Sequence, residues 1–256
     1  MMEMLSGLTS VTFRNLSVDE IIALCVQAGL DGIEWGSDVH VPVGDLALAK
    51  QVKEKCHEQG IQILAYGSYY RGGDVAQFHD VLATAQAIGA KIIRIWAGYH
   101  VHPDEISDTQ FNELVSNLTQ AAVLAKEKGI ALGFEYHRRT MSETLAGAKR
   151  LLDALPMDNV FTYWQPNPDI TYEQQLAELD ALAPRLAHYH VFAWEKGNIR
   201  YPLAHGMNKW QNYIAHGAKH SYPSAAILEF VKDDKVEQFR EDAAVLKQIL
   251  ADSMKC

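Results

Sequence analysis

Eight short apolar runs recur along the chain, each rich in β-branched or aromatic residues. Runs of this length and composition predict β-strands. The segments between them are long enough for one helix and two short loops, so the predicted repeating unit is a strand followed by a helix. The predicted strands are Val11–Phe13, Gly32–Trp35, Ile61–Tyr66, Lys91–Trp96, Ile130–Tyr136, Asn159–Trp164, Leu186–Phe192 and Ala225–Val231.

The intervening segments carry signals for helix starts and ends. In several places, including three that we take as helix starts, a hydroxyl residue is followed three positions later by Glu or Gln, the pattern of a capping box. Four segments end in a glycine, which is favoured where a helix terminates in a left-handed residue. The capping pairs are Ser17 with Glu20, Ser107 with Gln110, and Thr140 with Glu143; the glycines are Gly29, Gly60, Gly89 and Gly129.

Strands that alternate with helices form either a closed (β/α)₈ barrel or an open doubly wound sheet. No GxGxxG motif follows the first predicted strand, and no GxxxxGK[ST] motif occurs in the chain. The usual marks of open nucleotide-binding sheets are therefore missing, which favours an α/β protein with the TIM-barrel fold. No Pro/Ser-rich linker or change of composition divides the chain, so we expect one barrel domain over residues 1–256.

Composition narrows the range of functions. The chain has 256 residues, of which 48% are hydrophobic, and a net charge of −9, which disfavours binding to nucleic acid. Its three cysteines, Cys25, Cys56 and Cys256, form no CxxC pair and suggest neither a disulfide scaffold nor a thiolate zinc site. The sequence has no pattern of a signal peptide and no apolar stretch that could span a bilayer, so we expect a cytoplasmic protein.

Catalytic residues of a (β/α)₈ barrel lie at the carboxyl ends of its strands. Glu135 and Glu229 are lone carboxylates in apolar strands. Burying an unpaired carboxylate costs several kcal/mol, so each needs a cation, a strong partner or a raised pKa. A divalent metal ion would meet this need, and the alternatives are a solvated strand end or an arginine partner such as Arg94. Other polar residues at strand ends are Glu34, Asp38, His40, Gln165, Asn167 and His190.

Two histidines occupy the seventh predicted strand. His188 and His190 are two positions apart, so both face the same side of the sheet. His190 is nearer the carboxyl end and is the candidate ligand. His188 lies one layer deeper, where we expect it to form a hydrogen bond within the barrel or to support the metal site.

The series Glu135, His190 and Glu229 on strands five, seven and eight resembles the xylose isomerase-like barrel superfamily. This superfamily includes sugar and sugar-phosphate isomerases and epimerases, inosose dehydratases and nucleases of the endonuclease IV type. The resemblance implies one divalent ion (Mn²⁺, Mg²⁺, Co²⁺ or Zn²⁺) held by Glu, Asp, His and Glu. Glu135, His190 and Glu229 match this set, but Gln165 stands where the aspartate is expected and would be a neutral oxygen ligand.

The activity that the resemblance implies is proton transfer next to a carbonyl group. The metal would stabilise an enediolate, while Glu135 and Glu229 would remove and return the proton as acid and base. The expected partner is a small carbohydrate, with a slight preference for an unphosphorylated sugar or keto acid, because the chain has no P-loop. Related barrels often associate, which suggests a homodimer or homotetramer.

Five further residues are candidates for contacting the substrate: His40, Trp96, His137, Asn167 and Arg200. Three of them also have a plainer interpretation. His40 and Arg200 would then be exposed loop residues, and His137 would cap the next helix. Trp96 would offer a sugar ring an apolar wall, and its neighbour Arg94 would be an internal charge partner.

Three other functions share this fold. A metal-dependent dehydratase begins with the same proton abstraction, and a sugar-binding barrel without catalysis would explain Gln165 as the trace of a degraded site. A nuclease of the endonuclease IV type is disfavoured by Gln165, by Pro168 in place of an expected histidine, and by the negative net charge.

Overall fold

The computed structural model describes residues 4–217 and 225–253. In this part of the chain, eight parallel strands form a closed barrel, in which each strand is hydrogen-bonded to the barrel strands next to it along the chain and the first is hydrogen-bonded to the last. Helices connect the barrel strands, as the alternating pattern predicts. The prediction of a (β/α)₈ barrel fold is confirmed.

The barrel strands are β1 Leu5–Thr9, β2 Gly32–Gly36, β3 Gln62–Gly67, β4 Ile92–Ile95, β5 Ala131–Phe134, β6 Val160–Trp164, β7 Leu186–Val191 and β10 Ala225–Leu228. The helices are α1 Val18–Ala28, α2 Leu46–Glu58, α3 Val75–Ile88, α4 Asp108–Glu127, α5 Leu145–Ala154, α6 Tyr172–Leu182, α7 Met207–Gly217 and α8 Val236–Ser253. Two short strands, β8 Ala193–Glu195 and β9 Ile199–Tyr201, pair antiparallel in the loop after β7.

The first strand was predicted at the wrong place. The strand is Leu5–Thr9, whereas Val11–Phe13 belongs to a buried 3₁₀ helix. Ser6 and Gly7 have weak strand propensity, so the apolar pattern of the sequence did not predict β1. The apolar side chains of Val11–Phe13 pack in the core from this 3₁₀ helix, where the ring of Phe13 meets that of Phe239 edge-on at 5.8 Å.

Most of the helix signals are confirmed. Capping boxes start α1 at Ser17 and α4 at Ser107, and all four glycines adopt positive φ angles. The Thr140 pair is wrong, because α5 starts later, with Thr144 accepting a hydrogen bond from the backbone N–H of Gly147. Thr140 instead donates its hydroxyl hydrogen to the carbonyl of His137, 2.7 Å away, and so closes the turn before the helix.

The chain divides into two compact units. The first unit comprises Met1–Glu34, Cys56–Gln62 and Trp164–Cys256, and the second comprises Trp35–Lys55 and Ile63–Tyr163. That residues 1–256 form one domain stays a prediction.

The core of the first unit is rich in aromatic side chains. The Trp164 ring lies 4.9 Å from Tyr213 and 6.2 Å from Trp210, both on α7, and packs edge-on against Tyr189 of β7. The indole N–H of Trp210 donates to the carbonyl of Phe192 at 2.7 Å. These contacts attach α7 to β7, the strand that carries both histidines.

In the second unit, the loops after β3 and β4 are joined through their backbones. The amide of Trp96 donates to the carbonyl of Tyr70 at 2.9 Å, and the amide of Gly98 donates to the carbonyl of Arg71 at 3.0 Å. Gly98 has a φ of 93°, a conformation that other residues adopt only with strain. The two loops therefore hold the side chains of Arg71 and Trp96 in a defined arrangement.

Cys25 and Cys56 are buried thiols in cores of the structure, and no disulfide joins them. Burial, and then the neighbouring Cys56, raise the pKa of Cys25 far above its ordinary value. Cys256 lies outside the described residues.

None of the helices in the two described segments is both long enough and apolar enough to cross a membrane.

We expect Gly133→Ala to destabilise the protein by about 1–3 kcal/mol, the usual cost of overpacking a core. A Cβ atom at Gly133 would lie 2.5 Å from Cε1 of Tyr163, a buried ring. Gly73→Ala is the matched control, because a Cβ atom there meets nothing within 4 Å. Urea unfolding measures the difference, and equal stability of the two variants would contradict the packing argument.

Candidate functional site

His190 is the centre of a cluster of buried polar side chains in the first unit. It lies on β7, opposite Ile227 of β10, and its side chain is fully buried. Its Nδ1 atom lies 3.3 Å from Oε2 of Glu229 and 3.2 Å from Oε1 of Gln165. Its Nε2 atom lies 3.4 Å from Oε1 of Glu34. Both ring nitrogens therefore face acceptor oxygens.

Glu34 is a member of this cluster that the predicted ligand set does not contain. Its carboxylate is fully buried on β2, and Oε1 accepts a hydrogen bond from the hydroxyl of Thr9 at 3.2 Å. The β1–β2 register sets Thr9 directly beside Glu34. The sequence did contain a signal, because Glu34 is a lone carboxylate in the apolar run Gly32–Gly36, as Glu135 and Glu229 are in theirs.

The carboxylates around His190 determine its charge. Burial by itself lowers the pKa of an imidazole, because it disfavours the charged form. Here the negative charges of Glu229 and Glu34 outweigh burial and raise the pKa of His190 to about 10. The cluster is therefore built around a positive charge at neutral pH.

The donor set of this cluster fits a divalent cation. Glu229 offers a carboxylate, Gln165 an amide oxygen and His190 an imidazole nitrogen, all of which are ligand types of Mn²⁺, Mg²⁺, Co²⁺ and Zn²⁺. A divalent cation would supply the charge that the proton on His190 supplies otherwise. Gln165, Glu229 and His190 are brought together as the sequence predicts.

His188 has the structural role expected of it. It is buried one layer below His190 on β7, and its Nδ1 atom accepts a hydrogen bond from the backbone N–H of Ala225 at 3.0 Å. This contact links β7 to β10.

Glu135 is the key carboxylate of the second unit. It is 3% exposed and follows β5, where its backbone N–H donates to the carbonyl of Ile95 on β4. Its Oε2 atom accepts hydrogen bonds from the guanidinium of Arg94 and from the indole N–H of Trp96. The arginine partnership that the sequence left open for Glu135 is therefore present.

Trp96 connects several side chains of the second unit. Its ring stacks on the imidazole of His137 with 4.2 Å between centroids, and the guanidinium of Arg71 lies 4.2 Å from its centroid. His137 does not cap α5, since its Nδ1 atom lies 2.7 Å from the carbonyl of Arg138. Glu135, Trp96 and His137 are thus brought together.

The other candidate substrate contacts have varied surroundings. His40 is buried, not an exposed loop residue, and its ring lies 5.9 Å from that of Trp35. Asn167 shapes the loop after β6, where its side-chain oxygen accepts from the amide of Asp169. Arg200 lies on β9, and its guanidinium donates to Asp234 at 2.6 Å.

We expect Arg94→Met to destabilise the protein by about 3–5 kcal/mol, because it leaves the carboxylate of Glu135 buried without its cation. Adding Glu135→Gln should recover part of this loss, and a double-mutant cycle based on thermal unfolding measures the coupling. Arg150→Met, which removes an exposed ion pair with Asp108, is the control and should cost no more than about 1 kcal/mol. Simple additivity of the two substitutions would show that Arg94 and Glu135 are not coupled.

Comparison with known proteins gives the family of this chain. No curated protein sequence matches it at a significant level. Solved structures with the same fold include the probable 3-DHS dehydratase AsbF of Bacillus anthracis, at 17% identity and a TM-score of 0.79, covering 95% of this chain and 98% of that one.

Two further structures resemble the chain over almost its whole length. A xylose isomerase-like TIM barrel protein of Mycobacterium smegmatis in complex with magnesium has 13% identity and a TM-score of 0.73, covering 98% of this chain and 97% of the other. An L-ribulose 3-epimerase has 16% identity and a TM-score of 0.72, covering 100% and 96%. At these identities the likeness shows the fold alone.

The sequence model of one family, described as the xylose isomerase-like TIM barrel, matches residues 22–249. This match spans most of the chain and includes β2, β5, β7 and β10, the strands around Glu34, Glu135, His190 and Glu229. The chain belongs to the xylose isomerase-like TIM barrel family.

Proposed function

We propose that this chain is a divalent-metal-dependent isomerase or epimerase that moves a proton next to the carbonyl of a sugar, sugar phosphate or keto acid. The observation that carries the proposal is the buried imidazole of His190, whose two nitrogens face the carboxylates of Glu34 and Glu229. A site that demands a buried positive charge suits a cation that stabilises negative charge on a reacting substrate. The structural likeness to an L-ribulose 3-epimerase supports the same reaction class.

The proposed metal ligands are Glu135, Gln165, His190 and Glu229. The side chains of Glu135, His190 and Glu229 are all buried. When bound, a divalent ion would polarise the substrate carbonyl and stabilise the negative charge that develops on its oxygen. The magnesium complex of the M. smegmatis protein supports metal binding in this fold, and Gln165 in place of a carboxylate leaves the ligand set one negative charge short of the family pattern.

Glu135 and Glu229 are the proposed acid and base. Arg94 and Trp96 both donate to Oε2 of Glu135 and so fix the orientation of its carboxylate. Return of the proton to the opposite face of the same carbon gives epimerisation, and return to the neighbouring carbon gives isomerisation.

Glu34 is proposed as a positioning residue for His190. An acceptor at Nε2 favours the tautomer that carries its hydrogen there, with the lone pair on Nδ1. Nδ1 is the nitrogen that faces Gln165 and Glu229. Thr9 in turn orients Glu34 by donating its hydroxyl hydrogen.

The substrate is proposed to be a small carbohydrate contacted by His40, Trp96, His137, Asn167 and Arg200. Trp96 supports this best, because it combines an aromatic face with a hydrogen bond to Glu135. We also propose a cytoplasmic location and a homodimer or homotetramer, with neither nucleic acid nor membrane as partner.

A dehydratase is the second candidate, favoured by the likeness to the probable 3-DHS dehydratase of B. anthracis. It would begin with the same proton abstraction and continue with loss of a β-hydroxyl group as water. The two functions differ in their products, because only dehydration lowers the mass of the substrate by one water.

Protein loaded with Mn²⁺ should exchange a carbon-bound hydrogen of ketopentoses, ketohexoses or their acidic derivatives with D₂O. Glu135→Gln and Glu229→Gln should each slow this exchange by about 10²–10⁴-fold, the usual contribution of a general acid or base. Mass spectrometry and ¹H NMR measure the exchange, and elemental analysis measures the metal content of each protein.

Glu195→Gln is the matched control, because Glu195 is exposed and pairs with His205, and it should retain full exchange. His190→Ala should lose the metal, whereas His216→Ala, which removes a hydrogen bond with Asp180, should keep it. A product lighter by one water would identify a dehydratase. Stoichiometric Mn²⁺ without exchange on any of these compounds would leave a sugar-binding barrel.

We expect Glu34→Gln to weaken Mn²⁺ binding by about 10–100-fold, the usual cost of losing a group that orients a metal-binding histidine. Isothermal titration calorimetry measures the affinity. A second measurement, ¹⁵N NMR of the His190 ring in metal-free protein, should show a shift of its tautomer or protonation state that a loss of packing alone would not produce.

Thr9→Val serves as the milder variant, because it removes only the 3.2 Å hydrogen bond that orients Glu34. It should weaken Mn²⁺ binding less than Glu34→Gln does. Unchanged affinity and an unchanged His190 ring spectrum in both variants would refute the positioning role.

A further inference from the structure

Arg71 follows β3 and is held between aromatic side chains of the second unit. Its guanidinium lies 4.2 Å from the ring centroid of Trp96 and 4.4 Å from that of Tyr99. Its backbone carbonyl accepts from the amide of Gly98, so both the backbone and the side chain of Arg71 are attached to the loop after β4. A guanidinium packed on aromatic faces keeps its N–H groups directed outward in its own plane.

The charge of Arg71 is not neutralised by a salt bridge within residues 4–217 and 225–253. Other arginines of the chain are neutralised in this way: Arg94 by Glu135, Arg150 by Asp108 and Arg200 by Asp234. Arg71 is half-buried, and its contacts are with rings and backbone. A rigidly held guanidinium without a carboxylate partner is a ready binding group for an anion.

A cavity of about 630 Å³ opens beside this guanidinium. Its lining includes Arg71, Gly72, Tyr99, His100 and Asn117. The volume is in the range of small-molecule sites. Gly72 and His100 both have positive φ angles, and the side-chain amide of Asn117 donates to the carbonyl of Gly72, which ties the α4 wall to the Arg71 loop.

Three carboxylates also line the cavity, but they do not neutralise the positive charge of Arg71. Asp74 accepts from the amide of Ala76 as the N-cap of α3, and its side chain is exposed. Glu105 and Glu113 are also exposed. Water and salt screen charges at such positions, whereas the half-buried guanidinium is screened less.

Trp96 links Arg71 to the proposed chemistry. The same indole contacts Arg71 through its ring and donates its N–H to Glu135 at 2.5 Å. Arg71 and the carboxylate proposed to move the proton therefore contact the same indole.

We propose that Arg71 binds a carboxylate or phosphate group of the substrate, so that the protein acts on an acidic sugar and not on a neutral one. The inference rests on the proposed function, because only that function makes the bound molecule a substrate. The anion site itself is independent of catalysis. A sugar acid and a sugar phosphate both supply the required chemistry, and they are distinguished by experiment.

The test uses polyols without a ketone or aldehyde group, which cannot undergo the proposed proton transfer. D-Gluconate carries a carboxylate, D-sorbitol 6-phosphate carries a phosphate, and D-sorbitol is neutral. We expect at least one of the two anions to bind the full-length protein about tenfold or more tightly than D-sorbitol does, as a hydrogen bond to a charged group allows. The anion that binds more tightly identifies the source of the charge.

Arg71→Gln should abolish the preference for the anion, and Arg71→Lys should keep part of it, because a lysine retains the charge without the planar donors. Arg240→Gln, a change at an exposed position of α8, should leave the preference intact. In the wild-type protein, the Nε–Hε NMR signal of Arg71 should shift on titration with the preferred anion. This readout does not depend on the folding of any variant.

Equal affinities for all three polyols, or an anion preference that survives Arg71→Gln, would overturn the inference. Hydrogen exchange on neutral ketoses without an anion preference would leave the proposed function standing and remove the Arg71 site. An anion preference without hydrogen exchange on any compound would support the Arg71 site and remove the proposed reaction.

Discussion

A carboxylate buried in a protein interior must contact a positive charge or several hydrogen-bond donors, and the polar interior of this barrel depends on that requirement. In the first unit, Glu34 and Glu229 face the two nitrogens of His190 and raise its pKa. In the second unit, Glu135 accepts from Arg94 and Trp96. The buried carboxylates and their partners are therefore the charged groups of the interior that could take part in a reaction.

Solved structures that share this fold include a probable dehydratase and an epimerase. Both reactions need a base beside an acidic carbon and a positive charge beside the oxygen that becomes negative. What distinguishes them is the geometry around a second hydroxyl group. In the proposed metal site, Gln165 would be a neutral ligand and would leave the charge of a cation less compensated than a carboxylate would.

The two arginines outside the interior illustrate how context decides function. Arg200 was a candidate for substrate binding, yet its guanidinium donates to Asp234 and also packs near Trp194. No pattern in the sequence indicates a role for Arg71, yet its guanidinium packs against two aromatic rings beside a cavity. A carboxylate of the same chain that pairs with an arginine compensates its charge and occupies some of its donors, which leaves less for a bound anion.

The sequence by itself determined the alternation of strands and helices and the glycines that end helices. It also indicated Glu135, His190 and Glu229 as candidate metal ligands. These features are local, because they depend on periodicity, capping and the high cost of a lone carboxylate in an apolar run. Only the tertiary structure decided that β1 is Leu5–Thr9, since small residues such as Ser6 carry little strand propensity and are buried by their neighbours.

The tertiary structure also decided the partners of the polar residues. Glu34 faces His190 and Arg71 stacks on Trp96 because strands and loops far apart in the chain become neighbours in space. Such contacts depend on strand register and loop conformation, which no short window of sequence encodes.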